Sequence, residues 1–352
     1  MKTPTAVLPE ADPERLASAT ALAERAPEPA RVGSVRFGTA GWTEPTLIKS
    51  KAFYPPSATS AAARLQHYGA HFSLVEVDAT YYSLLPRSMS ERWLSDTPPG
   101  FKFDIKAFPS FTGHPIDVAR LPSDLRARFL ELGEARRIYP DKLPRELEQE
   151  LSARFLDFIE PLSDAGRLGA ILLQFPPWFT ATRKNARAIE ALRERYPELP
   201  FAVEFRHPSW REAERHQRVL DLLTAIRASY VCTDAPNAQT AIAITNPALA
   251  VVRFHGRNLE GFTKKGASVV ERFNYLYAPG ELRSWIEPLR KLASGAEEVH
   301  AVFNNCVRNY AVLNAKDLAT ILVEEGALNR SDDAEESALR ASSSKSDRDR
   351  SE

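Results

Sequence analysis

The residues whose types and spacing could carry chemistry are densest in residues 201–210, FAVEFRHPSW. An aromatic and β-branched run turns ionisable at Glu204, Arg206 and His207, just before Pro208 and Trp210. Side chains along a strand alternate between two faces, so Glu204 and Arg206 share one face and Val203 and Phe205 the other. The same parity groups Glu76 with Asp78, Lys102 with Asp104 and Lys106, Arg253 with His255, and His300 with Asn304. Gln174 and Asp234 sit at the ends of their own apolar runs. If the apolar partners face outward, carboxylates, cations, imidazoles and amides converge at one end of a sheet.

Such a set suggests capture of a small anionic or polyhydroxylated, sugar-like molecule and acid/base work on it by an isomerase, lyase or hydrolase. Lys106, Arg206 and Arg253 are cationic donors, and Arg suits bidentate capture of carboxylate or phosphate. Glu204 or Glu76 is a general base if burial raises its pKa, with His255 as its acid partner. Lys106 is a third catalytic candidate and, with a depressed pKa, a Schiff-base amine. Asn304 and Asn305 orient a hydroxyl or carbonyl, while Trp42, Tyr82 and Trp210 offer flat walls. Gln174, His207 and Asp234 complete the binding set. Core packing competes for each aromatic, and loop capping for His207. An ion network that only fixes the scaffold is the competing reading, although desolvating each buried ion is costly.

Glu76, Glu204, Asp234 and His255 are also ligand types for a divalent ion. Lys106, Arg206 and Arg253 compete for the same carboxylates, so no metal or other cofactor is expected, with a divalent metal as the alternative.

Eight strand patterns would position these groups, at 35–37, 74–78, 101–106, 169–175, 201–206, 229–234, 249–255 and 299–304. Helical patterns separate most of them, which indicates parallel βα units closed into a TIM (β/α)8-like barrel. Neither a dinucleotide-binding glycine fingerprint nor a P-loop is present. One domain over 31–328 is expected, with a longer helical segment between strands 3 and 4, charged and helical at 143–162. Residues 1–30 and 329–352 have the polar, Ala/Pro/Glu/Ser-rich composition of mostly disordered tails, with a transient helix available to Asp12–Arg25.

The 352 residues are 43% hydrophobic and 26% charged, a balance that supports a sizeable core. Basic and acidic residues number 46 each, which argues against a chain built wholly around a nucleic-acid backbone. A nucleic-acid-binding or nuclease-like barrel is therefore not favoured; Arg257, Lys264 and Lys265 in loops, with Trp210 as a stacking platform, are its support. A ligand-binding protein without turnover is a further alternative. Cys232 and Cys306 are too few for a disulfide framework. No run of about eighteen apolar residues predicts a membrane-spanning helix, and no secretory signal precedes the domain. A cytoplasmic location is the expectation.

An ordered series of motifs resembles the YecE-like family, TIM-barrel proteins known as domain of unknown function 72. It runs through Gly38-Thr39-Ala40-Gly41-Trp42, Phe53-Tyr54-Pro55, Val75-Glu76, Thr80-Tyr81-Tyr82, Phe101-Lys102-Phe103 and Leu173-Gln174-Phe175-Pro176-Pro177. It continues through Glu204-Phe205-Arg206-His207, Thr233-Asp234, Arg253-Phe254-His255-Gly256, Tyr275-Leu276-Tyr277 and Phe303-Asn304-Asn305. Asp78, the Thr112-Gly113-His114 spacing and Cys306 depart from the family's usual residues. The resemblance implies the barrel and the end of it that holds the site, but no reaction.

Overall fold

Eight short strands close on themselves in the computed structural model, which describes residues 10–129, 136–236 and 241–328. They are β1 (Val35–Ala40), β2 (Leu74–Val77), β3 (Lys102–Lys106), β4 (Leu168–Phe175), β5 (Phe201–Phe205), β6 (Ser229–Asp234), β7 (Leu249–Phe254) and β8 (Glu298–Phe303). Each pairs in parallel with its neighbours in chain order, and β8 returns to β1 to complete the ring. Closure leaves no strand edge unpaired and sends alternate residues inward. This is the expected single-domain TIM-like barrel.

The alternation follows the hydrophobic pattern. Phe103, Ile105, Ile171, Leu173, Val203 and Phe205 face the helix layer and are buried there. Inside, Ala170, Leu172, Ala202, Val231, Leu249 and Val251 form a separate apolar layer. Polar layers lie below and above it. In the lower one, His300 Nδ1 stands 2.9 and 3.0 Å from the Asp104 carboxylate oxygens, and its Nε2 3.3 Å from Glu298, which also pairs with Arg36. Burial opposes the imidazolium, but Asp104 and Glu298 outweigh it and push His300 up to about 9. A Cβ at position 169 would lie 2.3 Å from Asp104 Oδ1, so this closed floor requires Gly169. His300 and Asp104 share the inward parity of the site residues but sit at the other end.

The connection from β3 to β4 is the longest excursion. It carries a two-stranded ribbon, Ile116–Asp117 with Arg137–Ile138, and the twenty-residue helix Arg145–Asp164. The ribbon lies near the mouth and brings His114 to it.

The expected tails are corrected on the N-terminal side. Pro13–Ala23 is a helix, capped by the Asp12 carboxylate, which accepts from the amides of Glu14 and Arg15. Its Ala19, Leu22 and Ala23 are buried against the final helix, Tyr310–Glu324, and Thr320 Oγ1 donates to the Leu22 carbonyl at 3.0 Å. Small alanines permit a close approach while giving little hydrophobic signal. The final helix is buried at every position from 310 to 322 except Lys316, so it requires cover on all sides. Residues 1–9 and 329–352, the rest of the expected tails, lie outside the described residues. Among the described residues, no helix is long and apolar enough to cross a membrane.

Deleting residues 1–24 should re-expose this face and lower unfolding stability by about 3 kcal/mol, from the burial of one leucine and two alanines. Urea titration of the truncated and full chains checks this; equal midpoints would show the helix to be merely adjacent.

Candidate functional site

At the carboxyl end of the barrel one guanidinium holds two carboxylates from distant strands. Arg253 of β7 is fully buried; its Nε donates to Glu76 Oε2 at 2.7 Å and a terminal nitrogen to Oε1 at 2.5 Å. Its other terminal nitrogen donates to Glu204 Oε2. Glu76 belongs to β2 and Glu204 to β5, so the clamp crosses the barrel interior. The remaining oxygen of Glu204 accepts from Arg206 Nε at 2.7 Å and Gln174 Nε2 at 3.0 Å, and His255 Nε2 stands 3.2 Å away. Asn304 Nδ2 lies 3.1 Å from His255 Nδ1, and Lys106 Nζ 3.1 Å from Asp78 Oδ1. Strand parity thus gathers Glu76, Lys106, Gln174, Glu204, Arg206, Arg253, His255 and Asn304.

The electrostatics sort the two glutamates. Burial opposes ionisation of Glu204, but Arg206, Arg253 and His255 outweigh it and hold the carboxyl well below its usual range. Glu76 shares Arg253 and has Asp78 beside it; burial dominates and raises it to about 7. Burial and then Arg206 lower His255 to about 3, against the pull of Glu204. At neutral pH the unliganded mouth therefore holds an ionised Glu204 and a neutral His255. The raised pKa on which a base role depended is found at Glu76, not Glu204, and His255 does not carry an acid's extra proton. Lys106 is paired with Asp78 rather than standing free as a Schiff-base amine.

A cavity of about 430 Å³ opens above this layer, with Gln174, Glu204 and Arg206 at its base. Arg211 and Arg272 add two further guanidinium groups, and Phe175, Phe205, Phe262 and Phe273 supply apolar wall. Among the described residues, Arg211 and Arg272 have no ion-pair partner, and only the Nε of Arg206 is engaged, by Glu204.

Several expected site residues lie elsewhere, each for a visible reason. Trp210 is buried in the outer layer, stacked on Phe205 at 4.3 Å and Phe179 at 5.6 Å, with its Nε1 donating to the Phe179 carbonyl. Trp42 packs edge-on against Trp93 at 5.2 Å and borders a different cavity, of about 720 Å³, beside the loops after β1 and β2. Asp234 shares the parity of Cys232 and faces the helices, where Arg257, Tyr277 and Trp285 donate to it. Its neighbour Thr233 lines the cavity instead. Asn305 is buried, donating to the Tyr275 carbonyl and Asn314 Oδ1. His207 Nδ1 accepts from the Ser209 amide and caps the turn Pro208–Trp210. Tyr82 is 48% exposed and lines a smaller neighbouring cavity.

Of the four possible metal ligands, Glu76 and Glu204 hold Arg253 and Asp234 faces away. Among the described residues, no three His, Cys, Asp or Glu side chains group as ligands for one ion. Of the loop cations linked to nucleic acid, Arg257 is paired with Asp234 and Lys264 with Glu271.

His114, Arg211, Thr233 and Arg272 are the polar cavity residues that strand parity did not single out. His114 and Arg211 lie on loops, where no periodicity fixes direction, and Arg272 lies on the five-residue helix Val269–Phe273, too short to show one. Arg211 follows Trp210 directly, just past β5, and His114 ends the Thr112-Gly113-His114 motif; these were the available signals.

Arg253→Met would leave two buried carboxylates without their shared cation, and should cost about 3–5 kcal/mol of stability at pH 7.5. Adding Glu76→Gln should recover part of that loss. Urea unfolding of the single and double variants measures both; a change under about 0.5 kcal/mol in the single variant would contradict the clamp.

The family model described as "Protein of unknown function DUF72" matches residues 36–338. The chain is 29% identical over 296 residues to the UPF0759 protein YunF of Bacillus subtilis (strain 168), covering 82% of this chain and 94% of that protein. A crystal structure of a DUF72 family protein from Thermotoga maritima MSB8 aligns with TM-score 0.64 at 29% identity, covering 82% of this chain and 99% of that one. One from Enterococcus faecalis V583 gives 0.67 at 25% identity, with 82% and 95% covered. With its barrel, its motif series and a family match over most of its length, this chain belongs to the DUF72 family.

Proposed function

We propose that the barrel mouth binds a small organic anion, a carboxylate or phosphate on a compact polar body, and performs acid/base chemistry on it. The observation that carries this reading is the set of three guanidinium groups, Arg206, Arg211 and Arg272, around one cavity whose basal carboxylate already has a buried cation of its own. A cavity with open Arg donors favours anions, and the fork geometry of Arg matches carboxylate and phosphate oxygens. Apolar walls exclude water and strengthen each charge interaction.

Anion binding also prepares the chemistry. Arg206 is the strongest charge lowering both Glu204 and His255. A ligand anion against Arg206 offsets that charge and raises the proton affinity of both groups. Glu204 and His255, 3.2 Å apart, then become a base and its proton-carrying partner in the complex rather than in the free protein.

Calorimetry of the full chain with inorganic phosphate and with sugar acids tests the binding step. Arg211→Ala and Arg272→Ala should each weaken binding about tenfold, the loss of one charge-assisted hydrogen bond of about 1.5 kcal/mol. Their melting temperatures without ligand should match the parent. Failure of every anion to bind, or unchanged affinity in both variants, would overturn the reading.

A further inference from the structure

We propose that the ligand carries a flat aromatic ring beside its anion, as a nucleoside monophosphate does, and that the ring lodges against Tyr82 and Trp178. This rests on the anion reading and names its substrate class. A second cavity, of about 290 Å³, adjoins the cationic one, and His114 lines both. The loop after β4 forms the ridge between them: Pro176 and Pro177 face the cationic cavity, and Trp178 the other. A ligand with two chemically different ends fits two such adjoining spaces.

The second cavity has the chemistry of a ring site. Trp178 is 56% exposed and Tyr82 48%, whereas Trp42, Trp93, Trp210 and Trp285 are all buried. The two rings leave about half their surface exposed at the cavity rim, an apolar surface that a ligand ring can cover. Tyr81 stands edge-on to Tyr82 at 5.2 Å and to His114 at 5.3 Å, while His114 meets Trp178 at 5.8 Å. The aromatic groups are thus held in fixed relative orientations around the space. Arg120 already lies 5.1 Å over the Tyr82 ring, so a ligand ring packs against the exposed remainder of Tyr82 beside Trp178. Stacking on such faces tolerates any base, so the ring class is predicted and its identity is not.

His114 links the two ends. Its Nδ1 lies 2.8 Å from Thr112 Oγ1, which fixes the imidazole between the cavities. Burial, then Lys106 and Arg206, lower it to about 4, so at neutral pH it is an uncharged ring able to donate and accept hydrogen bonds. A ribose hydroxyl between base and phosphate is a suitable partner.

The test titrates the full chain with inorganic phosphate, ribose 5-phosphate and the four ribonucleoside monophosphates, followed by heat and by tryptophan fluorescence. At least one nucleoside monophosphate should bind about tenfold tighter than ribose 5-phosphate, the scale of one base stacked on an aromatic side chain. Trp178→Ala and Tyr82→Ala should each reduce that preference, leaving ribose 5-phosphate affinity and melting temperature unchanged, since both side chains are exposed. If ribose 5-phosphate binds as tightly as every nucleotide, or both variants keep the full preference, the ring inference is overturned while the anion site stands. If neither phosphate nor any phosphate ester binds, the anion reading fails and this inference with it.

Discussion

Arg253 bridging Glu76 and Glu204 is the interaction on which the upper half of the barrel depends. Three non-adjacent strands deliver ions into a space from which water is excluded, and one guanidinium satisfies one face of each carboxylate. Breaking such a network leaves uncompensated buried charge. The clamp therefore fixes strand positions and assigns charge at once. Glu204, with a second cation in Arg206, is driven towards ionisation, while Glu76, sharing its cation and facing Asp78, is driven towards neutrality.

The barrel's two polar layers make an instructive contrast. The floor cluster of Arg36, Asp104, Glu298 and His300 closes on itself, and Gly169 leaves it just enough room. It has the character of a structural plug. The mouth cluster is satisfied below, through Arg253, and open above, where Arg206, Arg211 and Arg272 border a cavity. Ions placed solely for stability would be expected to close as the floor does. The open donors are the reason to see the mouth as a site, with the aromatic space beside it extending the same surface.

Much of this was legible in the sequence because a strand's period is two. Once the apolar residues were placed outward, Glu76, Lys106, Glu204, Arg206, Arg253, His255 and Asn304 followed to the inside. Parity does not report height, so His300 and Asp104 looked like mouth residues by face and proved to be floor. At Asp234 the strand-end position marks a polar residue but not its face, which the parity of Cys232 two positions earlier sets towards the helices. Trp210 was ambiguous in type, and its neighbours Phe205 and Phe179 decided for the outer layer. Parity does not reach Arg211 and His114, because loops carry no periodicity, or Arg272, whose helix is five residues long; a helix over Asp12–Arg25 was legible, but its docking was not, because alanines pack well while registering weakly as hydrophobic.

Shared guanidinium groups hold Glu204 ionised in the unliganded barrel. Carbon-13 NMR of the full chain labelled at glutamate side-chain carboxyls, with the Glu204 signal assigned by its loss in Glu204→Gln, measures this directly. As pH falls, the Glu204 carbon should keep its ionised shift below the pH at which exposed glutamates protonate, near 4.3. A Glu204 carboxyl that protonates with the exposed glutamates, or at higher pH, would contradict the clamp and the charge assignment built on it.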